Sequence, residues 1–324
     1  MHMSDGLIST PVAAVAAVAA AALIGVAGAK VKKDTRPGLV SLTAVLGAFV
    51  FAAQMINFSI PGTGSSGHII GGVLLAAFLG PWAAFLALSS VLIIQCLLFA
   101  DGGLLALGCN IVNMAAMSCL IAYPLVFRPI VSRGASAARI MGASVLSCTL
   151  ALELGACLVA VETKLSGVTA LSTGTFLLLM TGIHLAIGVG EGVATGAVLA
   201  FVKRMRPALL AGAGAGEPRG RATGAIVGFA LAALAIAGGL SLAASQDPDG
   251  LEWSVERVAG SAEVPASGAA AARAQKVQDA TAAMPDYNNT FAGVAGASLV
   301  MLTVWGVCAL LTHRRRAAAI TEKE

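Results

Sequence analysis

Charged residues are scarce in this sequence, and their scarcity excludes an ordinary soluble protein. Only 11% of the 324 residues are Asp, Glu, Lys or Arg, against about 25% in soluble domains. Aromatic residues make up 5%, whereas 38 residues are glycine. A hydrophobic share of 58% and a mean hydropathy of +0.89 therefore predict an all-α, polytopic membrane protein whose helices pack through small residues.

Several motifs that carry chemistry are also missing. The six cysteines lie singly in apolar stretches without a CxxC pair, which favours burial as small apolar side chains over a zinc site or a disulfide framework. The sequence contains no G-x-x-x-x-G-K-[ST] run, so we expect no P-loop to bind ATP phosphates. No basic stretch is interleaved with aromatic residues, so a nucleic-acid partner is not expected.

Hydrophobic runs predict about nine transmembrane segments, seven followed by two. A break at Gly80-Pro81 divides one long run into a hairpin, because proline lacks the N–H that continues a helix. With that break, 16 of the 20 Lys and Arg residues fall on the cytoplasmic side, which places the N-terminus outside and the C-terminus inside. The runs lie near 11–29, 38–58, 69–80, 82–99, 104–127, 140–161, 172–202, 222–244 and 292–311.

A change in composition divides the chain into two units. Residues 1–206 contain the first seven segments. Residues 207–221 read "PALLAGAGAGEPRGR", a Gly, Ala and Pro-rich run without periodicity that predicts a cytoplasmic linker. Residues 222–324 contain the last two segments, which enclose a polar loop near 245–290.

The amino terminus, "MHMSDGLIS", offers an unusual set of nitrogen donors. We expect Met1 to be retained, because aminopeptidases remove it only before a small residue. The terminal amine, the deprotonated His2 amide and the His2 imidazole can then form fused, coplanar chelate rings that suit square-planar Ni(II) or Cu(II). His68 is the candidate for a fourth nitrogen, since the predicted topology places it on the same side. The alternative is that a histidine occupies position 2 by chance.

Four segments together resemble the CbiM/NikM family, and the resemblance covers nearly the whole chain. They are "MHMSDGLIS", "GSSGHIIGG", "ADGGLLALGCNIVNMA" and "DPDGLEWS". The resemblance implies a metal-capturing component of an energy-coupling factor importer in a prokaryotic inner membrane, with Ni(II) or Co(II) as the transported substrate. Residues 1–206 resemble the capturing domain. Residues 222–324 resemble its small accessory component, with the "PDGLE" stretch at 248–252.

The resemblance also implies a metal site and partners. The site consists of the nitrogens of Met1 and His2 together with His68. The partners are two cytoplasmic ABC ATPase subunits and a transmembrane coupling protein, so the chain itself is not an enzyme. Nickel and cobalt are not distinguished, although a planar nitrogen set favours Ni(II) over Co(II).

Further polar residues are candidates for hydrogen bonds to the two histidines or to the amino-terminal segment, with helix capping and contacts between helices as the alternative. His184 and Glu191 lie seven residues apart on one helix face inside a predicted span, either as a functional pair or as a bond between helices. The candidates near the outer face are Asn57, Ser65, Ser66, Asp101, Asn110 and Asn113.

Two other functions remain as hypotheses. The run "GSSGHIIG" also fits the GxSGxxxG pattern of rhomboid-like intramembrane proteases, with Ser66 as nucleophile and His184 as base. The glycines of that run favour a flexible loop instead, and the protease hypothesis leaves the amino terminus and the "PDGLE" stretch unexplained. The second hypothesis is a membrane scaffold that transports nothing.

Overall fold

The computed structural model describes residues 1–34, 36, 38–168, 171–210, 219–262, 264–285 and 290–321. Most of the predicted linker, 207–221, therefore lies outside the described residues. The described part is an all-α membrane bundle with one small β-hairpin, as the composition predicts.

Eleven helices of eight or more residues and two short strands follow one another along the described chain, with three short 3-10 helices at Asp5–Leu7, Pro207–Leu209 and Leu240–Ala243. The strands β1 (Phe58–Ile60) and β2 (Ser65–Gly67) pair antiparallel, with Ser59 opposite Ser66. The helices are α1 (Thr10–Lys33), α2 (Leu39–Gln54), α3 (Gly72–Leu79), α4 (Pro81–Phe99), α5 (Leu107–Ser132), α6 (Ala137–Ser166), α7 (Thr173–Met205), α8 (Arg219–Gly238), α9 (Gly250–Ala259), α10 (Ala269–Thr281) and α11 (Thr290–Thr321).

The helices differ in whether they are long enough to cross a bilayer. Within the described residues, six are long and apolar enough: α1, α4, α5, α6, α7 and the Phe291–Thr312 part of α11. Helix α2 and the Thr223–Gly238 part of α8 are apolar but shorter. Helix α3 has eight residues, which at ~1.5 Å per residue is far less than the ~30 Å hydrocarbon layer. Nine crossings and their orientation therefore remain predictions.

The helix break predicted at Gly80-Pro81 is present. Helix α3 ends at Leu79, Gly80 has a φ of 79°, and Pro81 is the first residue of α4. The Arg36 guanidinium donates to the Leu79 carbonyl at 2.5 Å. This contact places the turn beside Arg36, at the basic end of α1.

Glycines let two long helices approach closely, which agrees with the predicted packing through small residues. Gly188, Gly192 and Gly196 are buried on one face of α7, spaced four residues apart. A Cβ at Gly192 would lie 2.4 Å from the Cα of Val145 on α6, and one at Gly188 would lie 2.7 Å from the Cα of Thr149. The two backbones are therefore too close for any larger side chain at these positions.

The described helices of the second unit pack against the first unit rather than standing apart. Helices α8 and α11 lie against α2, and α10 lies against α4. Helix α9 packs on α7 and on strand β2. The polar loop expected near 245–290 thus contains two helices, and they cover the end of the bundle where the candidate metal ligands lie.

Candidate metal centre

The amino-terminal arm, residues 1–9, is folded into the bundle. Its contacts are specific. The Met3 N–H donates to Asn110 Oδ1 at 2.8 Å, and Asn110 Nδ2 donates back to the Met3 carbonyl at 3.2 Å. The carboxylate of Asp5 accepts from the Ala106 N–H at 3.0 Å. Because these groups are buried, each bond fixes the arm against polar groups that water does not reach.

The arm brings the imidazoles of His2 and His68 side by side. Their ring centroids are 5.3 Å apart and the ring planes differ by 16°. His68 directly follows strand β2, and its Nδ1 lies 3.1 Å from the Ile69 carbonyl, a contact that favours hydrogen on Nδ1 and a lone pair on Nε2. His2 Nδ1 lies 2.9 Å from Asp101 Oδ1, while His2 Nε2 is buried with no hydrogen-bond partner among the described residues.

The terminal amine of Met1 also lies at this site. Its nitrogen donates to Asp249 Oδ2 at 2.6 Å, and Met1 as a whole is only 4% exposed. Burial alone would raise the pKa of Asp249, but the charge of the terminal amine and the hydrogen bonds from that amine and from the Glu252 N–H hold that pKa well below its usual range. The carboxylate therefore stays ionised beside the amine.

Burial keeps the His68 imidazole neutral. Desolvation, the terminal amine and His2 together lower the pKa of His68 from 6.5 to about 4. A neutral imidazole is the form that binds a metal ion, because the protonated form has no free lone pair. The environment of His68 therefore keeps it ready for coordination at neutral pH.

A small cavity of about 10 Å³ lies between these groups, and Met1, His68, Asp249 and His184 are among its lining residues. His184 Nδ1 lies 2.7 Å from the carbonyl of Met180 on its own helix, so that nitrogen does not join two helices. Sequence reasoning left His184 open. The clue it lacked was which face of α7 points toward the arm.

Two of the candidate polar residues contact the arm, and one does not. Asp101 reaches His2, and Asn110 holds Met3. Asn113 instead donates to Glu162 on α6 at 2.7 Å. Although Asn110 and Asn113 are one turn apart, only the first faces the arm.

The remaining candidates join the hairpin to the "PDGLE" stretch. The Ser66 hydroxyl donates to the Asp247 carbonyl at 2.8 Å, and the Ser65 hydroxyl lies 3.3 Å from the Pro248 carbonyl. The Asn57 carbonyl accepts from the Ser245 N–H at 2.8 Å, just before that stretch. The Ser66 hydroxyl thus donates to a carbonyl rather than to an imidazole, which does not match a protease nucleophile paired with His184.

Side chains alone do not supply a metal site here. Among the residues that the structure describes, no group of three or more His, Cys, Asp or Glu side chains has the arrangement of a ligand set. A larger cavity of about 290 Å³, between α2, α3 and α7, has neither histidine nor carboxylate in its lining.

Comparison with known proteins agrees with the resemblance found in the sequence. The family model of the cobalt uptake substrate-specific transmembrane region, CbiM, matches residues 2–209, and the PDGLE domain model matches residues 223–313. A putative metal transport protein of Haloquadratum walsbyi is 37% identical over 212 residues, which are 65% of this chain and 93% of that protein.

Two further relatives extend the comparison. A putative fused nickel transport protein, NikMN, of Archaeoglobus fulgidus is 34% identical over 207 residues, which are 64% of this chain and 67% of that protein. The crystal structure of a truncated transition metal transporter superposes with a TM-score of 0.56 at 31% identity, covering 63% of this chain and 99% of that one. This chain therefore belongs to the CbiM family of cobalt uptake substrate-specific membrane proteins and carries a PDGLE domain at its carboxyl-terminal end.

Proposed function

We propose that this chain captures Ni(II) or Co(II) on the outer side of a prokaryotic inner membrane for an energy-coupling factor importer. The CbiM family model and the fused nickel transport relative support the substrate class. The observation that carries the proposal is the stacked pair of His2 and His68 beside the buried amine of Met1.

The proposed ligands are four nitrogens: the Met1 amine, the His2 amide, the His2 imidazole and the His68 imidazole. In the chelate, His2 binds through Nδ1, because that nitrogen closes a six-membered ring with its own amide. The Nδ1 atom now contacts Asp101. Binding through Nδ1 would therefore replace this contact, which requires the imidazole to turn about its Cβ–Cγ bond and leaves the Nε2–H to donate to a carboxylate such as Asp101. Such a carboxylate–histidine contact fixes ring orientation at many metal sites.

The two units have separate roles in this proposal. Residues 1–206 form the capturing domain, 207–221 a cytoplasmic linker, and 222–324 an accessory domain. The N-terminus lies outside and the C-terminus in the cytoplasm, over nine crossings. Because the sequence lacks a P-loop, two cytoplasmic ABC ATPase subunits would supply the energy through a transmembrane coupling protein.

Uptake of radioactive nickel and cobalt by cells that contain the chain and its partners tests the proposal. We expect His2→Ala and His68→Ala each to abolish uptake, because each removes one of the four nitrogens. Ser66→Ala is the control, since it removes the hydroxyl that a protease would need and leaves the nitrogens in place. Uptake that survives both histidine substitutions would refute the proposed site.

A further inference from the structure

We propose that Asp249 of the accessory unit positions the Met1 amine for the metal ion, so that both units build one metal site. This inference rests on the ligand set proposed above. It assigns to the "PDGLE" stretch a direct role at the metal site, through the amine nitrogen that its aspartate holds.

The two carboxylate oxygens of Asp249 have different partners. Oδ1 accepts from the N–H groups of Leu251 and Glu252, both at 2.9 Å, and so caps helix α9. Oδ2 accepts from the Met1 amine at 2.6 Å. Because the cap fixes the carboxylate on the end of a helix, the position of Oδ2, and with it that of the amine, is set by the accessory unit.

The stretch that carries Asp249 is attached to the hairpin that carries His68. The Ser66 N–H donates to the Pro248 carbonyl at 2.8 Å, and Ser66 and Asp249 form a parallel β-bridge. Farther along α9, the Trp253 indole N–H donates to the Thr63 carbonyl at 3.0 Å. The start of helix α9 therefore contacts both the hairpin that precedes His68 and the amine of Met1.

An amine that binds a metal ion keeps two N–H groups, so Asp249 can accept a hydrogen bond from the amine with or without the metal. Without that carboxylate, the arm samples many conformations. Metal binding must then also offset the conformational entropy that the arm loses when it becomes ordered. A carboxylate that only competed with the metal for the amine would have the opposite effect, since its removal would strengthen binding. The sign of the change therefore distinguishes the two roles.

The test is Ni(II) affinity of the purified full-length chain, measured by competition with a coloured chelator. Asp249→Asn keeps the helix cap, because Asn caps as well as Asp, but loses the charge. We expect affinity to fall by about 10- to 100-fold, as for other residues that orient metal ligands. The Ni(II) d–d absorption band should also shift toward that of the chain with a blocked amine. Asp249→Glu restores a carboxylate and should recover part of the affinity.

Glu252→Gln is the matched control, because Glu252 belongs to the same capping box, whereas the amine donates its hydrogen bond to Asp249. We expect its affinity to match that of the unaltered chain. Equal or tighter binding by Asp249→Asn, or no recovery in Asp249→Glu, would overturn the role of Asp249. His68→Ala separates this outcome from failure of the proposed function: if it binds Ni(II) as well as the unaltered chain does, the ligand set itself is wrong.

Discussion

Replacing Asn110 by leucine tests whether the folded arm is needed for metal binding. Asn110 pairs with Met3 through both of its side-chain groups: it accepts from the Met3 N–H at 2.8 Å and donates to the Met3 carbonyl at 3.2 Å. Leucine has the same branching of side-chain heavy atoms but neither polar group. The substitution therefore removes this pair of bonds while it keeps the packing of helix α5.

The expected loss of Ni(II) affinity depends on which hydrogen bonds Met3 keeps in the variant. Its carbonyl still accepts from the Gly103 N–H at 2.9 Å, whereas its own N–H loses Asn110. Asn110 is 2% exposed and Met3 is fully buried, so water cannot replace the bond while the arm stays folded. A buried, unpaired donor costs about 1–3 kcal/mol. If the arm must fold for the metal to bind, Ni(II) affinity should fall by about 5- to 150-fold.

The assay is Ni(II) titration of the purified chain, and Asn113→Leu is the matched control. Asn113 lies one turn along the same helix and donates to Glu162 rather than to the arm. Its replacement should disturb the bundle by a similar amount and leave Ni(II) affinity nearly unchanged. Equal affinity of both variants and the unaltered chain would refute the link between the folded arm and metal binding.

Three further predictions concern the hairpin and its support. A Cβ at Gly67 would lie 2.5 Å from Ile187 Cγ1. Gly67→Ala should therefore weaken Ni(II) binding, and adding Ile187→Ala should restore it in the double variant. Unaltered binding by Gly67→Ala would contradict this packing. The Glu191 carboxylate accepts hydrogen bonds from the backbone N–H groups of Ile70 and Gly71. Glu191→Gln keeps one acceptor oxygen and should lower the free energy of unfolding by about 1–3 kcal/mol, measured by thermal denaturation. An unchanged melting temperature would show that these bonds do not stabilise the fold. NMR of the metal-free protein should show His68 neutral down to about pH 4. Because that pKa lies below the unfolded value of 6.5, the stability that its neutral form contributes is complete above pH 6.5 and is lost as the pH falls toward 4; a midpoint near 6.5 would contradict its burial.

The sequence predicted the helical class and part of its geometry because both depend on local patterns. Long apolar runs form helices wherever they occur, and a proline after glycine ends one at Gly80. The composition predicted packing through small residues, and the structure shows such packing where the glycines of α7 meet α6. Helix α5 was less predictable: its Ile111–Phe127 part is a π-helix that contains Pro124, and no simple period in the sequence signals that form.

The candidate site was predictable only in part. Topology placed His2 and His68 at the same end of the bundle, and the structure sets their rings side by side. The contact of Asp249 with the amine joins residues 248 positions apart, and only the packing of α9 on the hairpin brings them together. His184 joins the cavity for the same reason, since the rotation of α7 about its axis depends on its neighbours. Contacts of this kind arise from tertiary packing, which local sequence patterns do not encode.

The most direct test of the account is Ni(II) binding by two purified forms of the chain, one beginning at Met1 and one with several extra residues, none of them histidine, before it. We predict that the first form binds one Ni(II) ion in a planar, all-nitrogen site, visible by X-ray absorption, and that mass spectrometry shows an unblocked Met1. The extended form should lose binding by at least about 100-fold, because its former terminal amine becomes an amide. Equally tight binding by the extended form would contradict the claim that the amino terminus is a metal ligand.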